Sequence, residues 1–171
     1  MASHSPPDPR ALDRAAELIR AAARPVVIAG RQCLPEDAGW LRAFAESLPA
    51  PVLTTWKARG VLPEAHPLAL GLFTETEQDD ALLGLADLIV TFGLDPEELD
   101  SRRWPYSALV VHLARTPPSG LPFVPLAAVV GYLALILEEL APRLRGRTQA
   151  DWDVFQIDRL TKAQRGAGEQ A

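Results

Sequence analysis

Two short apolar segments, each closed by glycine, constrain the fold of this chain more than any other sequence feature. Pro25–Gly30 (PVVIAG) and Asp87–Gly93 (DLIVTFG) are short and show no regular alternation of polar and apolar residues. Such continuous runs are typical of strands buried on both faces of a parallel sheet. Similar runs predict further strands at Pro51–Thr54, near Leu68–Leu70, at Ala108–Leu113 and at Phe123–Pro125.

Segments with a helical period separate these runs. Asp8 followed by Pro9 supplies an N-cap and a proline for the first helical turn. The apolar periodicity predicts helices at Pro9–Ala23, Glu36–Leu48, Glu77–Leu85 and Leu126–Leu140. In the second of these, Trp40 falls on the apolar face. Alternating helices and strands predict an α/β fold: a Rossmann-like, doubly wound, about six-stranded and mainly parallel sheet with helices on both faces.

The length of 171 residues fits one such domain. We divide the chain into an extended lead-in at 1–8, the α/β domain at 9–142 and a different segment at 143–171. This last segment begins with a basic stretch, is weakly amphipathic at Asp151–Leu160, and is expected to fray from Lys162 onward.

Composition excludes several classes of protein. A net charge of −5 argues against a nucleic-acid binder, which needs a basic surface. Cys33 is the single cysteine, so there is no intramolecular disulfide, and a reducing cytoplasmic location is expected. The longest apolar run, Leu126–Leu137, is well short of the roughly 20 residues that span a bilayer. No membrane association is therefore expected.

Glycine and threonine stand where ligands bind in a fold of this kind. Gly30, Thr55, Gly71 and Gly93 follow or end four of the predicted strands, whose carboxyl ends border the ligand crevice of doubly wound sheets. Glycine allows a close approach of the backbone to a nucleotide or flavin, although the same glycines also serve simply to turn the chain. The first turn lacks the G-x-G-x-x-G fingerprint, which counts against a dinucleotide.

No catalytic constellation or metal-ligand set is visible in the sequence. His112 lies alone in an apolar strand and is interpreted as structural. Cys33 has no histidine near it in the sequence and is interpreted as an inert thiol.

Two groups of charged residues lie near the predicted strand ends, and each is compatible with an ion site or with a solvated surface. The acidic residues at the third predicted helix favour a solvated helix start over a cation site: Glu75, Glu77, Asp79 and Asp80. Lys57 and Arg59, beside Trp56, are compatible with an anion site or with a solvated loop, and the sequence does not separate these readings.

Three segments together resemble the central domain of thiamine-diphosphate-dependent enzymes, the group of acetolactate synthase, pyruvate oxidase and benzoylformate decarboxylase. They are residues 21–30 (AAARPVVIAG), 49–71 (PAPVLTTWKARG, then a His-Pro and a closing glycine) and 86–93 (ADLIVTFG). The resemblance covers about residues 9–141, and its specificity lies in the order and spacing of the segments.

The resemblance implies a Rossmann-like domain between N-terminal and C-terminal thiamine-binding domains, which hold thiamine diphosphate and magnesium in the parent enzyme. Residues 143–171 then resemble a linker toward a missing C-terminal domain. The implied partners are those two domains and further copies of the chain, in a homo-oligomer. The chain itself is expected to act as a scaffold and interdomain contact, without thiamine chemistry of its own, and the parent's substrate stays open.

In flavin-containing members of this group the central domain holds FAD, and in oxalyl-CoA decarboxylase it holds ADP. This chain departs from that pattern at the turn after Gly30, at the acidic loop 72–77 and at the end of the strand carrying His112. A vestigial crevice at Gly30, Thr55, Gly71 and Gly93 is therefore expected. The alternative is a module that binds FAD or ADP.

An excised domain is expected to expose former interface and to self-associate. The aromatic candidates for such a surface are Trp56, Phe73 and Trp152.

Overall fold

A computed structural model describes residues 6–147 and 149–170 of the chain. Within these residues six strands form one sheet: β1 (Pro25–Ala29), β2 (Val52–Thr54), β3 (Ala69–Leu72), β4 (Leu88–Phe92), β5 (Leu109–Ala114) and β6 (Ala127–Val130). The α-helices of the same part are α1 (Pro9–Ala21), α2 (Ala38–Ser47), α3 (Asp80–Leu83), α4 (Leu133–Arg143) and α5 (Val154–Gln170). Residues 1–5 of the predicted lead-in, and residues 148 and 171 of the predicted last segment, lie outside the described residues.

All neighbouring strands pair in parallel, in the order β3-β2-β1-β4-β5-β6. The chain starts in the middle with β1, builds outward to β3, and returns to place β4 on the other side of β1. Val27 of β1 accordingly pairs with Val52 on one side and Val90 on the other. This is the doubly wound order, with its switch point between β1 and β4, and the predicted Rossmann-like fold is confirmed.

Apolar side chains of each strand alternate between two cores. In β1, Val27 and Ala29 pack with residues of α1, α2 and α4, whereas Val26 and Ile28 pack on the opposite face with residues of α3. All five residues of β1 are buried, because helices or loops cover both faces of the sheet. The continuous apolar runs in the sequence follow from this double burial.

An aromatic cluster on the second face comes from irregular chain rather than from helices. Trp104 lies 4.4 Å from Phe123 and 6.2 Å from Phe73 between ring centroids. Phe123 is buried here, and β6 begins four residues later, at Ala127. The prediction of a last strand at Phe123–Pro125 is therefore wrong.

The predicted helix Leu126–Leu140 is also wrong in its first part. The apolar run is divided between β6 and α4, with Gly131 and Tyr132 as the connection. Ala127 and Val129 of β6 and one face of α4 are buried, and a short apolar run predicts a strand and a helix equally well. The prediction that Trp40 lies on the apolar face of α2 is also wrong, because its side chain is 40% exposed rather than packed in the core.

The C-terminal helix α5 lies against the outer edge of β3. Gln164 Nε2 donates to the carbonyl of Leu72 at 2.7 Å, and Arg165 Nη2 donates to the carbonyl of Ala69 at 3.0 Å. Side chains of α5 therefore satisfy carbonyls of an otherwise open edge strand. The predicted fraying from Lys162 is wrong for the described residues, which are helical up to Gln170.

None of the helices in the described part of the chain combines the length and the apolar character that crossing a bilayer requires.

Candidate functional site

The loops that follow β1 and β4 meet at the switch point through Gly30 and Gly93. Gly30 N donates to the carbonyl of Phe92 at 2.9 Å, and Gly93 has a positive φ of 68°. A Cβ at Gly30 would lie 2.5 Å from Leu94 Cα, and one at Gly93 would lie 2.9 Å from Cys33 N. Both positions require glycine because the two loops pack directly on each other.

Backbone donors of the first turn are engaged within the protein. Arg31 N donates to the Glu98 carboxylate at 2.9 Å, and Gln32 N donates to the carbonyl of Gly93 at 2.9 Å. Asp95 N donates to the same Glu98 oxygen at 2.9 Å. Free N–H groups at such a turn are what bind a phosphate in related folds. Here the Glu98 carboxylate accepts from one N–H of the turn after β1, Arg31 N, and from one N–H of the loop after β4, Asp95 N.

Sequence reasoning missed Glu98, although a local signal was present. Asp95 and Glu98 form a capping box around a short 3₁₀ turn at Pro96–Glu98, in which Glu98 accepts from Asp95 N. The spacing of these two acids is the usual sequence signature of such a box. Its further contact with Arg31 N joins residues 67 positions apart, so no local pattern reveals it.

A network centred on Gln32 fastens the closed switch point to β5. Gln32 Nε2 donates to Thr116 Oγ1 at 2.8 Å and to Asp95 at 3.2 Å. Its Oε1 accepts from Arg115 N at 2.8 Å. The Arg115 guanidinium bridges the Gln32 carbonyl at 3.0 Å and the buried Asp37 carboxylate at 2.6 Å. Three loops at the carboxyl end of the sheet are thus tied together by buried and half-buried polar groups.

The charges at this edge are mainly acidic. Arg31 Nη2 pairs with Glu97 at 2.8 Å and with Asp95 at 3.2 Å. Burial on its own raises the pKa of Asp95, but hydrogen bonds from Glu97 N and Gln32, together with Arg31, bring the pKa below its ordinary value. With Glu98, three carboxyl groups therefore stand near one arginine, an arrangement that repels a pyrophosphate.

Thr55 lies beside the end of β1, at the residue that precedes Gly30, whereas Gly71 lies apart from the Gly30–Gly93 contact. Thr55 N donates to the carbonyl of Ala29 at 2.9 Å, while its buried Oγ1 has no partner in the described part of the chain. Gly71, with φ of 126°, faces α5: a Cβ there would lie 3.4 Å from Gln164 Cγ. The structure brings Gly30 and Gly93 together and places Gly71 two strands away from β1, in β3.

The interpretation of the acidic cluster as a solvated helix start is wrong for Asp79. This carboxylate is buried and accepts from Thr74 N at 3.1 Å, Glu75 N at 2.8 Å and Gln164 Nε2 at 2.8 Å. Glu77 is exposed, as expected. Asp79 is buried because backbone and amide donors satisfy it, which helps to dock α5.

Asp80 fastens the irregular segment after β4 to α3. Arg103 donates to its two carboxylate oxygens at 3.0 and 2.7 Å, and Tyr106 Oη donates to it at 3.1 Å. The hydrogen bond from Arg103 is the main cause of the lowered pKa of Asp80. The side chain thus serves a structural ion pair.

His112 and Cys33 are both unsuited to nucleophilic or acid–base work. His112 is fully buried, with Nδ1 2.7 Å from Thr91 Oγ1, and burial lowers its pKa to about 4. Burial, together with Asp37, raises the pKa of the Cys33 thiol to about 12. The thiol therefore stays protonated near neutral pH.

Of the three predicted interface aromatics, only Trp56 is exposed. Its exposed fraction is 63%, and the Arg59 guanidinium stacks 3.6 Å above its ring. Phe73 is buried in the second core, and Trp152 is half-buried with Nε1 donating to the carbonyl of Pro25 at 3.0 Å. The prediction is wrong for these two because irregular chain and α5 cover the second face.

Among the described side chains, at residues 6–147 and 149–166, His, Cys, Asp and Glu form no group of three or more able to hold a metal ion.

Sheet order and switch-point geometry define a Rossmann-like domain whose crevice is occupied by its own polar groups. The family model described as "Thiamine pyrophosphate enzyme, central domain" matches residues 12–140, more than half of the chain. The chain therefore belongs to the family of thiamine pyrophosphate enzyme central domains, and the resemblance in its sequence is confirmed.

Curated relatives agree with this assignment. The "Probable acetolactate synthase large subunit" of Methanococcus aeolicus is 31% identical over 143 residues, which are 80% of this chain and 24% of the relative. Human "2-hydroxyacyl-CoA lyase 2" is 30% identical over 167 residues, 92% of this chain and 25% of the relative. The chain thus spans about a quarter of the length of these relatives.

A solved structure agrees in fold. Benzoylformate decarboxylase from Polynucleobacter necessarius superposes with a TM-score of 0.69 at 24% identity. The match covers 86% of this chain and 29% of the decarboxylase chain.

Proposed function

We propose that this chain is the central domain of a thiamine-diphosphate-dependent lyase or transferase of the acetolactate synthase and decarboxylase type. In this role it is a scaffold between an N-terminal and a C-terminal thiamine-binding domain, and residues 143–171 lead toward the latter. The family membership supports the type of parent, and the short span relative to the curated relatives fits one domain of three.

One observation carries the scaffold role: the Glu98 carboxylate accepts from both Arg31 N and Asp95 N. A nucleotide phosphate needs those donors and meets a carboxylate in its place. The residues of the switch point therefore do not fit FAD or ADP. Gly30, Thr55, Gly71 and Gly93 are best understood as a vestigial crevice in which Gly30 and Gly93 now serve loop packing.

The residues also do not fit thiamine diphosphate with magnesium. The sequence contains no Gly-Asp-Gly, the stretch that holds magnesium and diphosphate in the family it resembles. The described residues offer no cluster of metal ligands. We therefore assign the chain itself no thiamine chemistry.

Association with flanking domains tests this function. The segments encoded directly before and after this chain, in the same or adjoining reading frames, are produced separately and mixed with it. Size-exclusion chromatography is expected to show a stable complex, and thiamine diphosphate turnover is expected only when all three parts are present.

Two results would contradict the scaffold role. One is that the neighbouring reading frames encode no thiamine-binding segments. The other is that such segments form an active enzyme equally well without this chain. Sedimentation of the complex also tests the predicted homo-oligomer. The measured mass is then expected to correspond to at least two copies of each part.

A further inference from the structure

A cavity of about 450 Å³ opens beside β2 and β3, outside the switch point. The crossover between these strands contains a 3₁₀ turn at Trp56–Ala58 and no α-helix. The cavity borders the sheet at Val52 and Ala69, whose side chains are themselves buried. Gly71 lines this space, whereas Gly30, Thr55 and Gly93 do not.

Much of the cavity wall is apolar. Val52, Leu62, Ala69 and Leu72 supply aliphatic surface. Gly60 keeps one wall open, since nothing lies within 4 Å of a Cβ built there. The volume falls within the range of roughly 300–1,000 Å³ that is typical of small-molecule sites. The space therefore suits a ligand with an aliphatic or aromatic body.

Two arginines border the same cavity. Arg165 reaches it from α5, and its Nη2 donates to the backbone carbonyls of Glu64 and Ala69. Its Nε is buried and has no hydrogen-bond partner in the described part of the chain. The guanidinium is thus held by neutral carbonyls, with a buried donor left over.

Arg59 supplies the second positive charge. Its guanidinium stacks on the exposed Trp56 ring, at 3.6 Å from the centroid. Among the side chains that the structure describes, at residues 6–147 and 149–166, neither Arg59 nor Arg165 forms a salt bridge, whereas Arg31, Arg103, Arg115 and Arg143 each do. Glu64 is the acidic residue in the lining, so the cavity carries more positive than negative charge.

We propose that this cavity binds a small organic acid, with its carboxylate held by Arg59 and Arg165 and its apolar body against Val52, Leu62 and Leu72. Arginine suits this role because its planar guanidinium matches a carboxylate. The contacts of Arg165 Nη2 with the Glu64 and Ala69 carbonyls hold its guanidinium in place at the cavity wall, so it presents a positioned positive charge to a carboxylate.

The test is a titration of the 171-residue chain with hexanoate, followed by calorimetry and by chemical-shift changes. Saturable binding at one site is expected, and the neutral isostere hexanamide is expected to bind at least about tenfold more weakly, since it lacks the charge. Arg59→Gln is expected to weaken hexanoate binding about tenfold, and Arg59→Lys to weaken it less.

Arg42→Gln is the matched control, because Arg42 is an exposed arginine on α2 that pairs with Glu46 and does not line the cavity. It is expected to leave hexanoate binding unchanged. Failure of hexanoate to saturate would overturn the proposal. So would equal binding of hexanamide, or an Arg59→Gln variant that binds like the parent chain. The scaffold role rests on Glu98 at the switch point and this site on Arg59 and Arg165, so their failures are distinguishable.

Discussion

His112 is the side chain whose protonation is most directly linked to the stability of the sheet. It lies in β5 with no exposed surface, next to Thr91 of β4, and its Nε2 has no partner in the described part of the chain. The ring of Phe123 lies 6.1 Å away between centroids. A charged imidazole would be poorly solvated there, which is why its pKa falls to about 4.

Stability is therefore expected to fall as the pH drops below about 6.5, the ordinary pKa of an unfolded histidine. Between that pH and about 4, the unfolded chain binds a proton that the folded chain does not, so the free energy of unfolding declines. The full loss from this group is on the order of 3 kcal/mol. Urea unfolding at pH 7.0, 6.0 and 5.0 measures the part of this loss that falls above pH 5, about 2 kcal/mol.

His112→Gln is the comparison, because glutamine is polar and does not titrate. Its stability is expected to be lower at pH 7 but nearly independent of pH between 6.5 and 5. An unchanged slope in that interval would show that other groups cause the pH dependence.

Single residues of the switch point could be predicted only in part. Gly30 and Gly93 stand out in the sequence because each closes an apolar run. Their partners do not, since Glu98 meets Arg31 through loops that are distant in sequence, and Gln32 meets Thr116 across 84 positions. A strand pattern predicts where loops lie but not which polar groups fill the space between them.

Among the elements, α5 shows how a polar helix is held in place. Gln164 is almost fully buried and donates to the Leu72 carbonyl and to the buried Asp79 carboxylate. Leu160 and Ile157 pack against the second core. The sequence of this segment is only weakly amphipathic. Its apolar pattern therefore predicts neither that the segment is helical nor that it packs against β3. Tertiary hydrogen bonds therefore stabilise α5 in addition to its limited apolar packing.

Gln164→Ala is expected to lower the free energy of unfolding by about 1–3 kcal/mol, because it leaves two buried acceptors each short of a donor. Urea denaturation measures this loss. Hydrogen exchange at β3 amides is expected to become faster in the same variant, since α5 would open more readily.

Lys162→Ala is the control on the exposed side of α5, where Lys162 pairs with Asp158 at 3.1 Å. Its effect is expected to stay within about 0.5 kcal/mol. Equal losses in the two variants would contradict the docking of α5 through Gln164.

The apolar run Leu126–Leu137 shows where strand and helix could not be distinguished from the sequence. It contains β6 and the start of α4, both partly buried, and the apolar pattern does not distinguish the strand from the helix. The strands β1 and β4 were easier to predict, because turn signals bound each run and its length fits a strand and not a helix.

At the scale of the whole molecule, the Rossmann-like domain type could be predicted from the sequence. Alternating helices and apolar strands, with right-handed crossovers, leave few arrangements open, and the doubly wound order is one of them. The crevice of such a sheet usually holds a ligand. In this chain Glu98, Gln32 and Arg115 join the loops across it, which supports a scaffold role over a nucleotide-binding one.

Titration of the chain with FAD and with ADP tests that closed crevice most directly. Calorimetry and flavin fluorescence follow the binding, and a flavin-containing member of the family serves as the positive control. We predict no saturable binding of either ligand, because the backbone donors after β1 are already engaged by Glu98 and by carbonyls of the chain. Saturable binding of FAD or ADP at one site per chain would contradict a crevice closed by Glu98.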